Sequence, residues 1–105
     1  MGFDQRAMRD MMKQAQQMQT QMEQAQRGLS EETVEGSAGG GMVTATMSGQ
    51  IELRAITISK DVVDPEDVEM LQDLVLSAVT DAIEKAKALQ GERMGAITGG
   101  LNLPF

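Results

Sequence analysis

The chain has no cysteine and no histidine. Disulfides and thiol nucleophiles are therefore excluded, and a metal site would have to be built from carboxylates or thioethers. Tryptophan and tyrosine are also absent, and the only two aromatic residues, Phe3 and Phe105, stand near the termini. The core must be aliphatic and sulfur-based, and there is no aromatic platform on which an unpaired base could stack. No apolar run approaches the ~18 residues of a membrane-crossing helix. The opening Met1-Gly2-Phe3-Asp4-Gln5-Arg6 carries no apolar stretch of the secretory kind, and Arg6 stands where a myristoylation signal needs serine or threonine. The expected compartment is the cytoplasm, with no membrane partner. With no poised nucleophile–base pair in view, the chain reads as non-enzymatic and without a cofactor or metal.

What is present is a chain of 105 residues, 41% hydrophobic, with ten methionines. That length implies one domain, and its high surface-to-volume ratio makes homodimerisation an effective remedy. The net charge of −7 is unevenly spread. Up to Leu29, Arg6, Arg9, Lys13 and Arg27 stand against Asp4, Asp10 and Glu23, a net of +1. Between Asp61 and Gly91 eight acids oppose Lys85 and Lys87, a net of −6. An acidic total argues against indiscriminate nucleic-acid binding, yet leaves room for binding at a locally basic tip. The acids from Asp61 to Glu69 lack the alternating ligands and central glycine of a calcium loop, and suit a helix start instead.

In the first stretch, Met8, Met11, Ala15, Met18, Met22, Ala25 and Leu29 alternate spacings of three and four residues, the signature of an apolar helical seam. Glutamines surround it. The spacing predicts a helix over residues 4–29, ended at Gly28-Leu29-Ser30 with Arg27 in its last turn. Thr33–Ser37 and the β-branched, alternating Met42–Met47 read as strands joined through Gly39-Gly40-Gly41. That glycine run lacks the Lys-Ser/Thr of a phosphate-binding loop and is read as a bulge or tight connection. Ser48-Gly49 is a hairpin turn, and in Gln50–Ser59 the apolar parity shifts between Leu53 and Ile56, which predicts a bulge near Arg54-Ala55. Asp64-Pro65-Glu66-Asp67 reads as a helix start, and the helix is expected to run to about Gln90, stopped by Gly91. Its broad apolar face suits packing on a sheet. The fold class is thus α+β in the order α-β-β-β-α: residues 1–29 a long helix, 32–59 a three-stranded antiparallel meander, 64–91 a packed helix and 92–105 a flexible tail.

Several stretches together resemble the YbaB/EbfC family of nucleoid-associated proteins. They are Lys13-Gln14-Ala15-Gln16-Gln17-Met18-Gln19, Val34-Glu35-Gly36-Ser37-Ala38-Gly39-Gly40-Gly41-Met42-Val43, Met47-Ser48-Gly49, Glu69-Met70-Leu71-Gln72-Asp73-Leu74 with Asp81-Ala82, and Met94-Gly95-Ala96-Ile97-Thr98-Gly99-Gly100-Leu101. The likeness runs through nearly the whole chain in one order. It implies a cytoplasmic, nucleoid-located homodimer with long helices projecting like tweezers, which binds duplex DNA and alters its conformation. It also implies DNA contacts from the projecting helices and nearby terminal segments: Arg6, Arg9 and Lys13, together with Lys85, Lys87 and Arg93.

Spacing alone already places Arg6, Arg9 and Lys13 on one helical face, where the bland alternative is a solvated surface with an Arg6–Asp10 pair. The seam is read first as packing, with Met11, Ala15, Met18 and Met22 at the dimer interface. A second reading makes it an adaptable protein groove that holds a replication or repair partner. A soft-metal site of thioethers alone is the least supported.

Overall fold

The computed structural model describes the backbone of residues 4–100 and the side chains of residues 4–95. Phe3, Phe105 and the tail beyond Gly100 lie outside the described residues. The order of elements is the expected one: α1 (Gln5–Glu31), β1 (Thr33–Ala38), β2 (Val43–Ser48), β3 (Leu53–Ile58), a 3-10 turn (Lys60–Val62) and α2 (Val68–Gly100). The strands form an antiparallel sheet ordered β1-β2-β3. Among the described residues, no helix is long and apolar enough to cross a membrane.

Register decides which side chains share a face. Val43, Ala45 and Met47 of β2 stand opposite Ala38, Gly36 and Val34 of β1, and opposite Ile58, Ile56 and Leu53 of β3. Directly opposed residues point to the same side of a sheet, so these nine make one apolar face. The bulge expected near Arg54 is present: Thr46 pairs with Ala55 and Met47 with Leu53, leaving Arg54 as the extra residue. Without it Leu53 would point to the opposite face from Ile56 and Ile58. The β1–β2 connection runs through Gly39, Gly40 and Gly41 at φ of 62°, 67° and 91°. Three successive left-handed residues are tolerable only as glycine.

Helix α2 lies across β1 and β2 and scarcely touches β3. Its buried residues among those described are Ala78, Ala82 and Ala86, which meet Val43, Ala45 and Met47. Alanine here is a matter of distance. A Cβ built on Gly36 would lie 2.3 Å from the Ala82 nitrogen and 2.4 Å from the Ala78 carbonyl oxygen. Helix and strand backbones are therefore in contact, with no room for a side chain between them. Polar side chains bind the same pair of elements at the outer edge of β1. The Ser37 N–H donates to the Asp81 carboxylate at 3.0 Å, and Lys85 Nζ donates to the Glu35 carbonyl at 3.0 Å while lying 3.3 Å from Asp81. The Ser37 hydrogen bond, seconded by Lys85, holds the Asp81 carboxyl below its ordinary pKa.

Both ends of α2 differ from expectation. Asp64 caps a turn rather than the helix, accepting from the Glu66 N–H at 2.9 Å, and the helix begins one turn later with Asp67 accepting from the Met70 N–H at 3.2 Å. Asp67 is as good a cap as Asp64, and Pro65 suits a turn as well as a first helical position. At the other end the helix continues through Gly91 to Gly100, so residues 92–100 are not a loose tail. A lone glycine costs only about 1 kcal/mol in a helix, and Arg93 beyond it is pinned to Glu32. Helix α1 likewise passes through Gly28 to Glu31, which takes Arg27 out of its last turn.

The molecule is long, 79 × 25 × 16 Å, with a radius of gyration of 21.3 Å. A compact chain of this size would have one of about 13 Å. Two long helices account for the excess: at 1.5 Å per residue the 27 residues of α1 make about 40 Å and the 33 of α2 about 50 Å. The contact at Gly36 is the point where packing is tightest. Gly36→Ala is expected to lower stability by about 3 kcal/mol or more, because backbone rather than a flexible side chain must move. Urea unfolding of the two proteins checks this; a change under about 1 kcal/mol would contradict it.

Candidate nucleic-acid interface

Helix α1 begins with Asp4, whose carboxylate accepts from the Arg6 N–H at 3.2 Å. From there to Gln24 every residue except the half-buried Ala7 is exposed. Only the root of the helix is anchored, and it is anchored to the β2–β3 hairpin. Leu29 is 2% exposed. A Cβ on Gly49 would lie 2.7 Å from the Leu29 carbonyl oxygen and 2.8 Å from its side chain. The Gly49 N–H donates to the Glu32 carbonyl at 2.9 Å, and the Gln50 side-chain amide donates to the Gln26 carbonyl at 2.8 Å. Arg93 clasps Glu32 from α2, its Nε donating at 3.2 Å and its second nitrogen donating to the other carboxylate oxygen. These contacts fix the direction in which the free two-thirds of α1 leaves the body.

On that free helix Arg6, Lys13 and Arg27 are exposed and spaced at multiples of seven residues, with Thr20 completing the line and Arg9 beside it. Seven residues are two helical turns less 20°, so the three cations form one stripe down the helix. Arg27 was not among the residues assigned to DNA from the sequence, having been read as a complement to the helix end. The seven-residue spacing was the available signal. The expected Arg6–Asp10 ion pair is not formed; the ion pairs found among the described residues are Arg54–Glu52, Lys85–Asp81 and Arg93–Glu32.

The six basic residues assigned to DNA from sequence do not converge. Arg6, Arg9 and Lys13 stand at the free end of α1. Lys85, Lys87 and Arg93 lie on α2, and Arg93 meets Glu32 at the root, about 39 Å of helix from Arg6. Lys85 and Arg93 are also engaged in holding α2 to β1 and to α1. Lys87 is exposed. The residues expected at the dimer interface, Met11, Ala15, Met18 and Met22, all lie on the projecting part of α1, and the methionines among them are 61%, 38% and 42% exposed. Among the described residues no group of three or more carboxylates is arranged to hold a metal ion.

The acids collect at the other end of the body. The 3-10 turn and the start of α2 lie beside the β1–β2 connection: the Ser59 N–H donates to the Met42 carbonyl, and Leu74 sits against Gly39. Residues 60–73 there hold six acids against Lys60. The particle is thus polarised along its length, basic at the helix tip and acidic at the far end of the body.

The sequence profile of the YbaB/EbfC DNA-binding family matches residues 4–101. Similar proteins include a nucleoid-associated protein of Alkaliphilus metalliredigens, 52% identical over 97 residues that make up 92% of this chain and 85% of that one. A nucleoid-associated protein of Chloroflexus aurantiacus is 56% identical over 93 residues, 89% of this chain and 93% of its own. One of Bacillus thuringiensis is 54% identical over 97 residues, covering 92% and 89%. In three dimensions the chain resembles the crystal structure of an uncharacterized protein of Helicobacter pylori. The TM-score is 0.68 at 23% identity, over 95% of this chain and 99% of that one, which speaks for the fold alone.

Proposed function

Because this chain belongs to the YbaB/EbfC DNA-binding family, we propose that it is a non-enzymatic nucleoid protein that, as a homodimer, grips duplex DNA at the free end of α1. The observation that carries the reading is the stripe of Arg6, Arg9, Lys13 and Arg27 on a helix that projects clear of an acidic body. Phosphates are attracted to the tip and repelled from the far end of the body, so charge alone orients the approach. Lysine and arginine side chains meet phosphates, and glutamines between them supply further hydrogen bonds. Such contacts position the protein on a duplex without demanding a sequence. Two copies put two stripes on one particle, and a duplex held by both must follow the spacing between them. That is how binding would alter the path of the DNA.

The homodimer rests on surface that one copy leaves uncovered. Leu53, Ile56 and Ile58 are 47%, 39% and 39% exposed although they share the face that α2 covers over β1 and β2. The outer edge of β1 is occupied by Asp81 and Lys85, whereas β3 is an open edge. An apolar lane beside a helix on a bare strand is what a second copy would fill. This strand, rather than the α1 seam, is the principal dimer surface we propose.

Two tests follow. Reversal of Arg6, Arg9 and Lys13 to glutamate is expected to abolish the mobility shift of mixed-sequence duplex. Binding by the unaltered protein should weaken with log[salt] at a slope of about −0.9 per phosphate neutralised. A salt-independent complex, or undiminished binding by the reversed protein, would refute the DNA reading. For the dimer, Ile56→Asp combined with Met11→Lys and Met18→Lys, which removes association through α1, is expected to give particles of the single-chain mass, 11.3 kDa, by light scattering with helical circular dichroism retained. A folded variant that stays dimeric would show that β3 is not the interface.

A further inference from the structure

The seam of α1 has neighbours as well as spacing. With Met8, Met11, Ala15, Met18, Met22 and Ala25 as the inner positions of a heptad, the flanking positions hold only Ala7, Met12, Gly28 and glutamines. Every charged residue of the helix up to Arg27 falls on the outer positions. Such flanks neither repel nor orient a partner by charge, and they keep the DNA-binding cations on the side away from it. The methionines at 8, 11, 12, 18 and 22 are 53%, 61%, 63%, 38% and 42% exposed. Together they expose on the order of 500 Å² of apolar surface, the size of the largest patch on a typical soluble chain, which is often an interaction site. Two such faces buried together approach the low end of specific interfaces, about 1,200 Å².

Orientation follows from side-chain size. Set antiparallel, the seam meets a second copy of itself with Met8 opposite Ala25, Met11 opposite Met22 and Ala15 opposite Met18. Met8 and Met18 then each face an alanine, while Met11 and Met22 set two flexible thioethers together, an arrangement that fills space between two helices. A parallel, in-register pair would set Ala15 against Ala15 and Ala25 against Ala25, leaving gaps. An open depression lies at the root of the helix, lined by Ala25, Gly28, Leu29, Glu31, Glu32 and Arg93. The end of an antiparallel partner helix, with its Met8, would reach this spot.

We propose that α1 pairs antiparallel, through this charge-free seam, with the α1 of a second copy, and that the contact joins bodies lying at opposite ends of the pair. Antiparallel helices of about 40 Å keep their roots that far apart, so the two chains cannot also share the β3 contact. The seam therefore links one dimer to another, and with cations on the outer faces it would bring separate DNA segments together. The inference goes beyond the DNA reading and does not depend on it. Methionine makes the seam adaptable and the association reversible.

Because the chain has no cysteine, single thiols report the geometry directly. Met11→Cys and Met22→Cys proteins are mixed without DNA and treated with a short bismaleimide. The antiparallel seam predicts mixed 11-to-22 cross-links in excess of like-with-like products. Like-with-like products alone would mean a parallel pair and overturn the proposal, as would the absence of cross-links. A second measurement needs no thiol: Met11→Lys with Met18→Lys should remove the four-chain species in light scattering and leave the two-chain species. Retention of four-chain particles would overturn it equally, and neither result bears on whether DNA is bound.

Discussion

The structure depends on one close contact, the backbone of Gly36 against the backbone of α2 at Ala78 and Ala82. Because helix and strand touch with no side chain between them, the core is thin and built of small residues. Among the described residues, Val43 is the largest apolar side chain with no exposed surface. A helix lowered onto β1 in this way covers two strands and leaves the third bare. The uncovered Leu53, Ile56 and Ile58 are thus a consequence of the Gly36 contact, not an independent feature. The small interior, and a radius of gyration far above that of a compact domain of this length, are what the proposed homodimer would offset.

The same economy governs α1. It takes no part in the core except through Leu29, and its direction is fixed by the small contact area around Gly49, Gln50 and Glu32. A helix held only at its root can offer its whole length to other molecules. Its surface is divided accordingly: cations on the outer stripe, methionine and alanine on the inner seam, glutamine between. Charge segregation does the rest, since the acids gathered at the far end of the body leave only the tip and stripe hospitable to phosphate.

Much of this architecture was legible because it is written in local periodicity. The 3.5-residue seam foretold α1, alternation foretold the strands, and the parity change between Leu53 and Ile56 foretold the bulge at Arg54. What local pattern did not carry were contacts between residues distant in the chain: Arg93 meets Glu32 across 61 residues and Lys85 meets the Glu35 carbonyl across 50. The helix continued past Gly91 for the same reason. The Ser48-Gly49 turn was placed correctly, yet the loop runs on to Ile51, which adopts φ of 63°. A β-branched residue there costs about 1–2 kcal/mol, offset by its packing against the core. Nothing in its sequence context announces that.

In the function proposed, DNA meets the α1 stripe and not the body. Thr20, in line with Arg6, Lys13 and Arg27, and Val63, 52% exposed at the acidic end, are suitable sites for single cysteines carrying a photoactivatable cross-linker. Irradiation with mixed-sequence duplex is expected to join DNA to the protein labelled at position 20 and leave the protein labelled at position 63 uncoupled. Cross-linking from position 63 at equal or greater yield would contradict the account.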